Sequence, residues 1–484
     1  MKNVLFGFVV LSLFSCGNSS DCSIAFFGGE IVNPKSDYVV LLKDDMVIDS
    51  AEIDETNRFM FKLEDFNEGL YNFQHLEYQY VFIERGDSIM MRLNTLDFDE
   101  SLVFSGRGSE KNNFLIDMFL VNEDEKGLIH NYYSLEADDF RHKIDSLQSM
   151  KMDQYQNLLG DYKLSANAKK ITRAVIDFSH YANMEIYPYM HKNKHRLHYV
   201  KELPKDFYSY RSVDHYQDAS LSYFRPYLNY MVMHFNNLSY VDCLSDCSKR
   251  NGRIEQTLHY HMHKLHLIDS LAKEQNLRDN LFRNAAYDYL LGDHNPVNNQ
   301  KFIAEFNNLS KNNKHGDEIN ELYDGIQDLQ TGKTMPQIEL VRQDGTKIST
   351  DSLYQNKTTV YYFWSINQRN HMKKINKRVE ELKALYPHFN FIGINVNENH
   401  SKWINNLTAY KLNPDIQYRC ADFQEMSKKF VLNSLNKMII ANEDGTIING
   451  FANAYDPGLE VQLSEIYSKN TIPLNSVRTV KNGN

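Results

Sequence analysis

Thr358-Thr359-Val360-Tyr361-Tyr362-Phe363-Trp364-Ser365-Ile366-Asn367-Gln368-Arg369-Asn370-His371 is the stretch that decides how the last third of this chain folds. Thr359 to Trp364 is a near-continuous apolar run of β-branched and aromatic residues, the pattern of a strand covered on both faces. Met372, Ile375, Val379, Leu382 and Leu385 follow at three- and four-residue spacing, so they share one face of a helix. Phe389 to Val396 reads as a second buried strand, and two parallel strands need a crossover like this helix. Met438 to Ala441, the turn Asp444-Gly445 and Ile447-Ile448 read as an antiparallel hairpin, with a closing helix from about Gly458 to Tyr467. The resulting order is β-α-β-α-β-β-α.

That order, led in by Met335-Pro336 and closed near Tyr467, resembles the TlpA-like thioredoxin-fold domains of membrane-anchored proteins. In thioredoxin chemistry a Cys at the start of the first long helix has its thiolate stabilised by unpaired N–H groups and the helix dipole, so it attacks disulfides. The family pattern is Phe-Trp-x-x-Trp-Cys-x-x-Cys. Here the register from Phe363-Trp364 places Gln368 and His371 where the two cysteines belong. The family's cis-proline position, counted back from Asp444-Gly445, falls on Asn436. A cis bond before a non-proline residue costs roughly 3–4 kcal/mol, so a trans bond is expected there. Cys420 lies in or at the end of a predicted strand and has no partner at Cys-x-x-Cys spacing; a buried structural role is expected. The resemblance therefore implies a thioredoxin-like domain without its redox pair. A peptide groove near Trp364, Gln368, His371 and Asn436 is what remains of the site.

The first residues carry a separate signal. Lys2 precedes an apolar stretch, Val4 to Phe14, too short to span a bilayer, and Leu13-Phe14-Ser15-Cys16 follows. This run resembles the lipobox of bacterial lipoproteins, with Phe14 bulkier than is usual. It implies a signal peptide over 1–15, a lipidated Cys16 and an anchor segment over 16–22. Each buried CH₂ of an acyl chain contributes roughly 0.8 kcal/mol. The lipid would hold the protein on a membrane, expected to be the outer membrane with the protein facing the periplasm, because Gly17-Asn18-Ser19-Ser20-Asp21 lacks a strong acidic tag. Cys22, Cys243, Cys247 and Cys420 then remain, and export permits disulfides among them.

Residues 23–108 read as short strands: Ile31-Val32, Tyr38 to Leu42, Arg58 to Leu63, Leu70 to Phe73, Tyr80 to Ile83 and Ser88 to Leu93. A small antiparallel sandwich or barrel is expected, and its features resemble the β-domain that precedes thioredoxin-like domains in Bacteroidetes lipoproteins. Gly106-x-Gly108 lacks the third glycine and Lys-Ser/Thr of a phosphate loop, and is expected to be a strand-to-helix turn. Helical spacing dominates 109–330, with Pro188, Pro204 and Pro226 expected to divide it. Residues 331–470 form the thioredoxin-like domain and 471–484 a tail. The fold class is thus multidomain α+β.

Cys243-x3-Cys247 with His259 and His263 comes near Cys₂His₂ zinc spacing, but one residue short of the common twelve between the pairs. A disulfide between the two cysteines is the expected alternative, and no metal or other cofactor is expected. His259, His263 and His266 share a helix face that is expected to be solvated, with His261 off it. A net charge of −10 without a basic cluster gives no reason to bind nucleic acid. No hydrolase or metalloprotease motif is present. The expected function is a non-catalytic envelope lipoprotein that binds or scaffolds a protein or peptide partner. A thiol-disulfide oxidoreductase or peroxidase-like enzyme, and an accessory lipoprotein of an outer-membrane uptake system, remain as alternatives.

Overall fold

The computed structural model describes residues 23–212, 215–247, 257–354, 357–396 and 399–471. Cys16, Cys22 and the signal segment lie outside the described residues. Two compact units result, one comprising 1–241 with 270–281, the other 242–269 with 282–484.

In the first unit, β1 (Ala25–Val32), β2 (Tyr38–Lys43), β3 (Met46–Glu52), β4 (Arg58–Leu63), β5 (Gly69–His75), β6 (Glu77–Ile83), β7 (Ser88–Asn94) and β8 (Val103–Arg107) form two four-stranded sheets. Their orders are β4-β1-β7-β8 and β3-β2-β5-β6. Alternation of buried and exposed residues, clearest in Arg58–Leu63, turns Phe27, Phe59, Phe61, Phe73, Val39 and Leu41 into a shared core. The expectation of a wholly antiparallel module is corrected at one place: β1 runs parallel to β7, a pairing between strands far apart in sequence.

The helices α1 (Ser109–Tyr132), α2 (Ala137–Asp161), α3 (Ala166–Lys194), α4 (Arg225–Cys247), α5 (Leu258–Leu271), α6 (Gln275–Gly292), α7 (Pro296–Leu309) and α8 (Gly316–Asp328) follow. Pro226 sits in the first turn of α4 and Pro204 between α3 and α4, where the missing N–H costs nothing. Pro188, expected to divide helices, lies inside α3. Its neighbours Glu185, Tyr187 and His191 are buried, and that packing outweighs an interior proline's cost of about 3 kcal/mol.

The second unit contains a seven-stranded sheet of order β10-β9-β13-β12-β11-β14-β15. Its strands and helices are β9 (Glu339–Val341), β10 (Lys347–Ser349), β11 (Thr359–Trp364), α9 (Arg369–Leu385), β12 (Asn390–Asn395), α10 (His400–Ala409), β13 (Gln417–Cys420), α11 (Phe423–Lys429), β14 (Lys437–Ala441), β15 (Ile447–Asn453) and α12 (Leu459–Thr471). Strands β11, β12 and β13 are parallel, and β14 runs antiparallel to β11. This is a thioredoxin-like sheet in which α10, β13 and α11 replace a single connecting helix. Helix α9 buries Met372, Ile375, Val379 and Leu382 as expected, while Leu385, its last residue, is exposed. No described helix is long and apolar enough to cross a membrane.

Candidate functional site

Every residue of β11 is buried, and the strand delivers the chain to a short turn at Ile366–Gln368 from which α9 starts. Ser365 shapes that turn: its Oγ accepts from the Asn367 N–H at 3.2 Å, and the Gln368 N–H donates to the Ser365 carbonyl at 3.2 Å. Gln368 is the N-terminal cap of α9 yet makes no side-chain capping bond, and it is exposed. The position that would hold a nucleophile therefore presents a neutral amide at a helix start. Three residues on, the half-buried His371 packs against the Leu435 backbone and the Asn436 side chain. Neither of its ring nitrogens makes a hydrogen bond of good geometry, and burial holds the imidazole below its ordinary pKa, so it is neutral at pH 7. The bond at Asn436 is trans. The fold thus brings His371 and Asn436 together and leaves Gln368 at the open rim.

Trp364 is a correction. It was expected to line the groove, but it is fully buried. Its Nε1–H donates to Gln417 Oε1 at 2.8 Å, and Gln417 Nε2 donates to the Tyr362 hydroxyl at 2.6 Å. Gly393 makes this possible, since a Cβ there would overlap the Gln417 amide. The indole N–H would cost several kcal/mol if buried without an acceptor, so Gln417 fixes the tryptophan inward and away from any ligand.

Cys420 ends β13, is buried, and has its Sγ 2.9 Å from the Asp422 carbonyl. Burial pushes its thiol up to about 12, so almost no thiolate exists at neutral pH. It is not disulfide-bonded.

Lys437, the residue after Asn436, carries no motif that marks it in the sequence. Its side chain is buried, with Nζ donating to the Val431 carbonyl at 3.3 Å and lying 4.6 Å from the Phe451 ring centre. The same ring stacks on His294 at 3.8 Å. Desolvation pushes the Lys437 amine down to about 7. Its only signal in the sequence is a charged residue opening an apolar strand.

Cys243 is buried and disulfide-bonded; the Cys247 side chain, and with it the expected pairing of the two, lies outside the described residues. His259 Nδ1 lies 3.6 Å from Cys243 Sγ, and the His259 and His263 rings are 4.6 Å apart. His266 is exposed beside Glu305, and His261 is buried off that face. Among the described residues no group of three or more His, Cys, Asp or Glu side chains is placed to hold a metal. A disulfide sulfur also lacks the charge with which a thiolate binds zinc.

Gly106 and Gly108 form the strand-to-helix turn into α1, with φ of 87° and 90°. The Asp87 carboxylate fills the space a Cβ on Gly108 would need, which leaves no cradle for phosphate.

A family model described as thioredoxin-like matches residues 356–447. No curated protein matches the chain. Among solved structures, the thioredoxin domain of a thiol-disulfide oxidoreductase from Bacteroides vulgatus is 15% identical, with 29% of this chain and 99% of that one covered at a TM-score of 0.25. A thiol-disulfide oxidoreductase from Bacteroides fragilis is 20% identical, with 28% and 99% covered at 0.23. A thiol peroxidase from Chromobacterium violaceum is 14% identical, with 29% and 89% covered at 0.24.

Proposed function

We propose that this chain is an envelope lipoprotein, anchored through Cys16, whose thioredoxin-like domain binds a protein or peptide partner and performs no thiol-disulfide exchange. One observation carries the reading. The start of α9 offers Gln368 and His371 where a nucleophile and its resolving thiol would act, and Cys420, the thiol in that sheet, is buried and protonated. An amide and a neutral imidazole exchange no electrons with a disulfide, but both form hydrogen bonds with a peptide backbone. The open rim at Gln368, with His371 and Asn436 behind it, is the surface that a partner segment would occupy.

Three measurements test this. Insulin reduction by the full-length protein, with dithiothreitol as the recycling reductant, is expected to run at the rate of the buffer blank. Turnover that disappears in Cys420→Ser overturns the reading, whereas turnover that disappears in Cys243→Ser belongs to that disulfide and not to the start of α9. For binding, a photo-crosslinker at position 368 in native envelopes is expected to trap a partner whose yield falls at least fivefold in Asn436→Trp. Mass analysis of the mature N-terminus tests the lipid on Cys16.

A further inference from the structure

We propose that a cleft in the first unit, floored by His191 and rimmed by Glu136 and Glu202, is a binding site for a small organic ammonium ion. The site is separate from the groove at α9 and draws on different residues. The cleft has a volume of about 360 Å³, at the lower end of what small-molecule sites offer. It opens between the first turn of α2, the C-terminal half of α3 and the segment Lys201-Glu202-Leu203-Pro204.

The floor consists of Tyr187, Pro188 and His191, all buried. His191 Nδ1 lies 3.2 Å from the Tyr133 carbonyl, which can only accept, so Nδ1 carries the proton and Nε2 keeps its lone pair. Nε2 has no hydrogen-bond partner among the described residues, yet it is not enclosed as the ring nitrogens of His371 are, and the ring lines the cleft. Burial, with the His195 ring 4.4 Å away, holds this imidazole below its ordinary pKa, so it is neutral at pH 7. The Tyr187 hydroxyl is spent on the Leu135 carbonyl at 2.8 Å. The floor therefore offers the cleft an acceptor and no donor.

The rim repeats that preference. Glu136, Asp138 and Glu202 line it against Lys201 alone, so the lining carries net negative charge. Arg141, 3.2 Å from Asp138, offsets part of this, whereas Glu202 has no charged partner among the described residues. Glu136 is the N-terminal cap of α2 but makes no side-chain capping bond; its carboxylate instead holds the Lys201 ammonium at 2.5 Å. The cleft thus already selects an ammonium from its own chain, and an anion entering it would meet three carboxylates. A second ammonium has His191 Nε2 as acceptor for one N–H and the carboxylates of Glu136 and Glu202 for the others. Its apolar body would lie against Pro188, Leu203 and Pro204.

The test titrates the full-length protein with cyclohexylammonium chloride, read by saturation-transfer NMR, with cyclohexanol and cyclohexanecarboxylate as controls of the same shape. Cyclohexylammonium is expected to bind with a Kd of about 5 mM or tighter, and both controls at least tenfold more weakly. His191→Phe, which removes the lone pair, and Glu202→Gln, at an exposed position, are each expected to weaken binding at least fivefold. Glu77→Gln, an exposed carboxylate on β6 outside the cleft lining, changes the net charge equally and is expected to stay within twofold. Circular dichroism checks that the variants are folded, and Glu202→Gln decides the matter if His191→Phe is not. No binding of cyclohexylammonium up to about 20 mM overturns the proposal, as does equal binding of the three probes or a folded His191 or Glu202 variant that binds like the wild type.

Discussion

Two strand-to-helix turns in this molecule have opposite designs. At the start of α1, Gly108 adopts a left-handed conformation against Asp87, and Lys111 reaches back to Glu84 and Asp87, at 2.7 Å from each. Asn112 bonds the N–H and carbonyl of Phe82, and Asn113 does the same for Phe104. At the start of α9 the corresponding residues, Asn367, Gln368, Arg369 and Asn370, are exposed and the helix cap is unfilled. Polar residues spent on backbone groups hold a joint together; polar residues left facing solvent are available to a partner. The first turn is a hinge pin, and the second is a surface.

Substitutions can break that contrast. The largest expected effect is at Lys111→Met, which strands two carboxylates in a buried setting. Chemical denaturation should show a loss on the order of 3–5 kcal/mol in the first unit. Next comes Lys437→Met, because Lys437 is buried like Lys111 but has no carboxylate beside it among the described residues. Its folded pKa of about 7 lies below the unfolded value, so the unfolded chain binds more protons above pH 7. Stability should therefore rise with pH from about 7 toward the unfolded lysine value, by up to about 1.4 kcal/mol per pH unit. The rise should vanish in the methionine variant when denaturation is followed across that window. The smallest effect belongs to Gln368→Ala, expected to shift stability by less than about 0.5 kcal/mol while lowering partner crosslinking. A large destabilisation there would make the second turn structural like the first.

How much of this could be read from the residues depended on how local the cause was. The buried strand β11, the face of α9 and the Asp444-Gly445 hairpin were legible because apolar spacing and turn chemistry act over a few positions. Strand β3 was not: Met46, Val47 and Ile48 are exposed, so no burial pattern marks it. The β1–β7 pairing joins strands some sixty residues apart, and nothing local announces it. Gln368, His371 and Asn436 were found by register, and the fold does place the last two together. The inward turn of Trp364 is not legible locally, because what holds it is Gln417, 53 positions on.

That glutamine has a consequence for how the sequence can drift. Gly393 and Gln417 occupy one volume between neighbouring parallel strands, so neither is free to change by itself. Enlarging Gly393 first would expel the amide and orphan the indole, whereas shortening Gln417 first would leave a hole and the same orphan. Descendants of this chain should exchange the two positions jointly or keep both, a historical lock visible wherever enough cousins are compared.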